Sequence, residues 1–410
     1  MTNRNKFRNI KLVMLFLTLG ILEVFAVDPQ AAVDEFVRRS GVRAESLAVK
    51  VTDLKDGSIL GSHNPGSPLV PASIMKSVTT AALLGEAGPD YRYHTRVYID
   101  GVMDMGILRG NLIVEGSGDP SLHSTAEPYG GDIFREIAEI LRDMGIHQIE
   151  GSIVVDETAF PGPSRPATWM KADYSTSYGT GFHALNYRNN VSGNKAVENP
   201  GSLFARHLTS RLAEEGIPVY GRDMKVGKRT QILDHLSPPL DEIMRSCMMR
   251  SDNLFAESMF RTYSKLSGGS GSAVEAANSA MSKWEKEDLP FDGVIIVDGS
   301  GLSRSNRVTA DFMTGMLSEM SGDATYASFF PLAGQEGTLR RFLAGTPLEG
   351  YIAMKTGSMR GIQCYAGYKL DDDYVPTHTV VIMMNDITGS RDTAKKAAER
   401  MLLSIFNDEQ

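Results

Sequence analysis

The chain has 410 residues, 42% of them hydrophobic and 22% charged, so it can bury a sizeable core in two or three domains. A formal net charge of −8 supplies no basic face and argues against nucleic-acid binding. The cysteines, Cys247 and Cys364 alone, exclude a disulfide framework and leave either one bridge or two buried thiols.

The chain opens with Arg4, Lys6, Arg8 and Lys11, an apolar stretch from Leu12 to Leu22, and Val24-Phe25-Ala26. This reads as a signal peptide over residues 1–26, cut after Ala26 and directing the protein to the periplasm. The apolar stretch falls short of the roughly 20 residues that span a bilayer, so no stable membrane span is expected. Gln30 to Arg39 has helical spacing, Ser46 to Leu54 alternates as a strand, and a largely apolar helix runs from Pro71-Ala72-Ser73 through Leu84. Thr95 to Ile99 and Asn111 to Glu115 read as strands, Asp132 to Met144 as an amphipathic helix, and Ile149 to Val155 as another strand. Pro161 to Val197 shows no sustained period and reads as loops. Leu203 to Glu215 and Leu240 to Leu266 are helical, and Val294 to Val297 is a short buried strand running into Asp298-Gly299-Ser300-Gly301. The last third gives strands at Ile352 to Lys355, Gln363 to Leu370 and His378 to Met384, then a helix from Asp392 to Phe406. The short acidic turn between the last two strands implies an antiparallel sheet.

Three short motifs occur in order: Ser73-Ile74-Met75-Lys76, Ser251-Asp252-Asn253 and Lys355-Thr356-Gly357. Together they form the serine-nucleophile set of penicillin-recognising enzymes. Singly they are weak, because Ser192-Gly193-Asn194-Lys195 also fits the first pattern and Ser62-His63-Asn64 the second. Context separates them. Ser73 and Lys76, three apart at the head of an apolar helix, share a face near the positive end of its dipole, whereas Ser192 falls in a loop-like segment. A serine hydroxyl needs a neighbouring base, and Lys76 can serve if a dry environment and a second cation, Lys355, lower its proton affinity. Ser251 is placed to relay a proton between Lys76 and a leaving amine, and Asn253 to hydrogen-bond a substrate amide. Lys355, Thr356 and Ser358 on an edge strand suit a substrate carboxylate, with Gly357 allowing close backbone approach. The amides of Ser73 and Ser358 would form an oxyanion hole. No Gly-x-Ser-x-Gly elbow, His-Glu-x-x-His, metal-spaced cysteine pair or phosphate-binding loop is present, so neither a metal nor another cofactor is expected. The glycine-bearing stretches Gly116 to Asp119 and Asp298 to Gly301 read as tight turns.

With these motifs placed, the chain resembles the class C low-molecular-mass penicillin-binding proteins, the D-alanyl-D-alanine carboxypeptidase/endopeptidases of peptidase family S13. The likeness also rests on Val70-Pro71-Ala72-Ser73, Gly118-Asp119-Pro120, Asp298-Gly299-Ser300-Gly301-Leu302-Ser303-Arg304, Leu332-Ala333-Gly334, Gly337-Thr338-Leu339 and Lys355-Thr356-Gly357-Ser358. It implies an α/β (α+β) penicillin-binding, β-lactamase-like fold: a central antiparallel sheet flanked by helices, with a reduced α/β insert. The peptidase portion would comprise residues 27–93 and 225–410, and the insert 94–224. The resemblance implies peptidoglycan stem peptides as substrates and β-lactams as inhibitors. It also implies that Asp173 grips the amino group of a diaminopimelate side chain. The alternatives are a β-lactamase or esterase on the same fold, and a catalytically silent wall-binding protein. The sequence leaves the oligomeric state open.

Overall fold

The computed structural model describes residues 28–124, 131–224 and 227–406; the expected signal peptide over 1–26 lies outside the described residues. Asp28 starts the first helix by accepting from the amide of Gln30, and Pro29 sits where a missing N–H costs nothing. This helix, α1 (Pro29–Arg39), leads into β1 (Leu47–Asp53) and β2 (Ile59–His63). Next comes α2 (Met75–Ala87), buried from Met75 through Leu84 as a central helix and ended by Gly88 at φ 75°.

A second body begins with the long hairpin of β3 (His94–Asp104) and β4 (Ile107–Gly116). It continues through α3 (Ile133–Asp143), β5 (Gln148–Ile149), β6 (Ile153–Asp156), the small hairpin of β7 (Val191–Ser192) and β8 (Lys195–Ala196), and α4 (Pro200–Glu214). Then β9 (Arg229–Leu236) pairs antiparallel with β3. This strand lies beyond residue 225, where the sequence reading resumes the peptidase portion, yet it belongs to the insert's sheet. Its side chains are mostly exposed or half-buried, which leaves no alternating apolar signal to read. The sheet is mixed, since β5 and β6 run parallel to β4.

The chain then returns to the first body with α5 (Leu240–Arg250), α6 (Asn253–Leu266), α7 (Ala273–Lys286), α8 (Ala310–Met320) and the short α9 (Ala324–Ala327). β10 (Ile352–Met359), β11 (Ile362–Leu370), β12 (Pro376–Met384) and α10 (Arg391–Phe406) complete it. The expected strand at Val294 to Val297 is instead one isolated bridge, Ile295 to Arg307. The central sheet has the order β10-β11-β12-β1-β2, antiparallel throughout.

Alternation along the strands sorts the core into two layers. Leu47, Val49 and Val51 of β1, with Val380, Ile382 and Met384 of β12, pack against α1 and α10. Ala48, Val381 and Met383 face the other way, onto α2, α5, α6 and α8. Each such fully buried Leu, Val, Ile or Met side chain contributes about 1.5–3 kcal/mol over an exposed one. Cys247 and Cys364 are buried and free, so no bridge joins them. Among the described residues no helix is long and apolar enough to cross a membrane.

Candidate active site

Ser73 lies in a 3-10 turn, Ala72 to Ile74, immediately before α2. Ala72 takes a positive φ of 48°, a left-handed conformation that costs an alanine on the order of 1 kcal/mol. Gly301 is packed so tightly on the Ala72 carbonyl that no Cβ fits there. The strained turn is therefore clamped from outside. Ser73 is half-buried at the cleft while its neighbours Ala72 and Ile74 are buried. Lys76, with no solvent exposure, directs Nζ to Ser73 Oγ at 3.0 Å, Asn253 Oδ1 at 2.7 Å and the Ser300 carbonyl at 2.7 Å. All three donor positions of the ammonium are thus engaged.

The second motif falls at the break between α5 and α6. Ser251 ends α5 at φ 59° and ψ 39°, where glycine or asparagine is usual, and Asp252 caps α6 by accepting from the Phe255 amide. The Ser251 hydroxyl accepts from Lys355 Nζ at 2.9 Å. Its direct partner is thus Lys355, a contact that the expected relay between Lys76 and a leaving amine did not include. Asn253 is also committed differently. Its Oδ1 holds Lys76 and its Nδ2 donates to the Tyr178 carbonyl at 2.9 Å, so the amide joins the lysine to the loop at Tyr178.

Lys355, Thr356, Gly357 and Ser358 lie on β10, the edge strand. Lys355 is fully buried, and Thr356 Oγ1 donates to Thr338 Oγ1 at 2.7 Å. A Cβ on Gly357 would stand 2.5 Å from the Pro71 carbonyl and 3.1 Å from the Ser73 amide nitrogen. The close approach that needs glycine here is to the turn carrying Ser73, where the sequence reading expected a ligand. It also brings β10 beside the Ser73 amide. Arg391, from the first turn of α10, donates to Ser358 Oγ at 3.2 Å and to the Met359 carbonyl.

Burial lowers the proton affinity of Lys76, opposed by Cys247, Asp298, Asp252 and Glu257. Burial and then the charge of Lys76 push Lys355 down to about 7. The two lysines therefore do not both carry a proton readily in the neutral range. Burial pushes the Cys247 thiol up to about 12, so it stays protonated beside them.

An open cleft of about 820 Å³ collects Ser73, Ser251, Asn253 and Ser358 on one side and Met170, Asp173 and Tyr178 on the other. Asp173 closes a 3-10 turn, and its Oδ1 accepts from the Tyr178 hydroxyl at 3.0 Å. Ser192 and Lys195, the rival match, are exposed on the β7–β8 hairpin. Among the described residues no group of three or more His, Cys, Asp or Glu side chains is placed to hold a metal.

Sequence reasoning missed the buried support of this site. The Asp298 to Gly301 stretch supplies the Ser300 carbonyl to Lys76. Asp298, fully buried, accepts from the amides of Gly301 and Ser303, from Asn306 Nδ2 and from Trp169 Nε1. The available signal was an aspartate beside two glycines, which also fits an ordinary turn.

Comparisons with known proteins bear on the family and the fold. The D-alanyl-D-alanine carboxypeptidase DacB of Haemophilus influenzae is 25% identical over 395 residues, covering 77% of this chain and 80% of its own length. Carboxypeptidase DacB of Mycolicibacterium smegmatis is 28% identical over 345 residues, covering 78% of this chain and 73% of its own. The crystal structure of penicillin binding protein 4 from H. influenzae superposes with a TM-score of 0.80 at 22% identity, over 92% of this chain and 99% of its own. Its complex with a β-lactam gives a TM-score of 0.71 at 23% identity, over the same shares of both chains. The D-Ala-D-Ala carboxypeptidase 3 (S13) family matches residues 29–195 and 188–405. The chain belongs to that family.

Proposed function

We propose that the protein is a serine D-alanyl-D-alanine peptidase of the periplasm that cleaves peptidoglycan stem peptides through an acyl-enzyme on Ser73. The observation that carries this reading is the 3.0 Å contact between Ser73 Oγ and a fully buried lysine, Lys76, whose proton affinity burial lowers. Ser73 Oγ attacks the carbonyl carbon of the penultimate D-alanine while its proton passes to Lys76. The amides of Ser73 and Ser358 hold the oxyanion. As the tetrahedral intermediate collapses, the C–N bond breaks, and Ser251 delivers its proton to the leaving amine and is reprotonated through its partner Lys355, so that the lysine pair gives up the proton it took from Ser73. Thr356 and Ser358 hydroxyls, with the charge of Lys355, bind the terminal carboxylate. Water then attacks the ester, releasing the shortened peptide and restoring the Ser73 hydroxyl. β-Lactams acylate the same oxygen; the H. influenzae relative has been crystallised in complex with a β-lactam.

Asp173 is assigned to the amino group of a diaminopimelate side chain. It lines the same cleft as Ser73 and is oriented by Tyr178. The cleft is open enough for a leaving amine that carries a second peptide, which supports endopeptidase action beside carboxypeptidase action. The test is to incubate the protein lacking residues 1–26 with monomeric and cross-linked muropeptides and weigh the products. Loss of terminal D-alanine from monomers, and separation of cross-linked dimers, are expected. Intact muropeptides of both kinds would refute the reading. Rapid turnover of penicillin with no lasting adduct would favour a β-lactamase.

A further inference from the structure

The helix α6 sets Asn253 and Glu257 four residues apart, on one face. Asn253 touches Lys76 directly. Glu257, 2% exposed, reaches it through the backbone: its Oε1 accepts from the amides of Gly299 at 3.1 Å and Ser300 at 2.9 Å. The Ser300 carbonyl then accepts from Lys76 Nζ at 2.7 Å. Thr79 on α2 donates to the Gly299 carbonyl at 2.8 Å, so this peptide is gripped from both sides. A buried carboxylate carries a desolvation cost that an amide of the same shape avoids, and Asp298 next to it makes the cost larger. Charge, and not shape alone, is what Glu257 brings to the site.

We infer that Glu257 is a positioning residue of the acylation step: its carboxylate fixes the Gly299–Ser300 peptide so that the Ser300 carbonyl holds Lys76 on Ser73, and its charge is one of those that face the lysine. The inference rests on the reading of Lys76 as the base. The groups facing Lys76 are Cys247 on α5, Asp252 at the α5–α6 junction, Glu257 on α6, Asp298 in the loop and Lys355 on β10. Those facing Glu257 are Asp298 and, one turn along α6, Arg261. Burial and then Asp298 push the Glu257 carboxyl up to about 7, so its charge changes within the neutral range. An ionised Glu257 favours the charged form of Lys76. Where Glu257 is ionised, from about pH 7 upward, removing that charge lets the lysine lose its proton at lower pH, which moves the acidic limb of the acylation profile downward.

The experiment uses a chromogenic β-lactam as the probe and follows the second-order acylation rate of wild type, Glu257→Gln and Glu257→Ala from about pH 5 to 9, a range chosen around neutral titrations. Thermal unfolding checks each fold. Glutamine keeps an acceptor oxygen for both amides but not the charge, and its acidic limb is expected to move down by about half a pH unit or more. Alanine leaves two buried amides unpaired and lets Lys76 drift, and its acylation is expected to fall about 10²-fold with little change in apparent affinity. A Glu257→Gln profile that superimposes on wild type overturns the inference, even if the alanine protein does not fold. A folded Glu257→Ala protein that acylates at the wild-type rate overturns it too. If wild type itself fails to acylate, the reading of Lys76 falls and takes this inference with it. If wild type acylates and the variants match it, the inference alone falls.

Discussion

The two sides of the cleft are held by different means. On the inner side Lys76 and Lys355 are fully buried and bonded to Ser73, Asn253, Ser300 and Ser251. Moving any one of these groups disturbs the others. On the outer side Met170 and Tyr178 are about half exposed, at 53% and 51%, and Asp173 sits between them in a 3-10 turn. That loop meets the inner side through single hydrogen bonds, Trp169 to Asp298 and Asn253 to the Tyr178 carbonyl. In the proposed mechanism the difference separates two tasks. Proton transfer needs fixed distances and a dry site, whereas recognition of a variable side chain tolerates a looser surface.

Substitutions on the two sides should therefore fail differently. The largest effect belongs to Ser73→Ala, which is expected to abolish β-lactam acylation. Lys76→Met is expected to lower the rate by about 10³-fold, measured by stopped-flow absorbance. Equal residual rates in wild type and Lys76→Met would remove the inner side's claim to chemistry. Gly357→Ala forces a methyl group against the Pro71 carbonyl. It should cost about 1–3 kcal/mol of stability by overpacking and slow acylation about 10²-fold by displacing the Ser73 turn. Denaturant unfolding and acylation kinetics on one preparation would check both.

A pH experiment sharpens the same contrast. Lys355 is depressed to about 7 from an ordinary 10.5. Between those values the unfolded chain binds a proton that the folded chain has released, so this group's contribution to stability rises with pH. Its slope is at most about 1.4 kcal/mol per pH unit. Glu257, raised to about 7 from 4.5, acts oppositely: the folded chain keeps a proton there, and stability falls as pH rises across that window. Lys355→Met is thus expected to flatten the rise above neutral pH in denaturant titrations, and an unchanged slope would contradict it. The smallest effect is at Asp173. Asp173→Asn is expected to reduce preference for a free side-chain amine over its acetylated form by about threefold to tenfold, the range of a partly exposed charged contact. β-Lactam acylation should stay within about twofold, because a half-buried loop carboxylate contributes little beyond its own contact. Competition between the two muropeptides, resolved by mass, reads this directly.

The inner side was largely legible in the sequence because its motifs are local. Ser73 and Lys76 meet through spacing alone, and Ser251-Asp252-Asn253 and Lys355-Thr356-Gly357 are short runs whose order told them from the chance match at Ser192. The antiparallel sheet was legible for the same reason, from two strand runs joined by the short acidic turn at Asp371-Asp372-Asp373. What escaped the sequence passes through backbone atoms or distant pairs. The Ser300 carbonyl on Lys76 has no residue signature, and the Gly299 and Ser300 amides on Glu257 connect segments 42 and 43 positions apart. Polar edge strands such as β9 lack the period that marks a half-buried strand. The sequence singles out Asn253 and Ser251 but not their partners, since partner choice depends on where β10 and the Tyr178 loop settle.

The most direct test of the account is to treat wild type and Ser73→Ala with penicillin, digest both, and map the covalent adduct by mass spectrometry. The account predicts one adduct, on the peptide containing Ser73 in wild type and absent from the variant. An adduct at another serine such as Ser192, or equal labelling of Ser73→Ala, would contradict it.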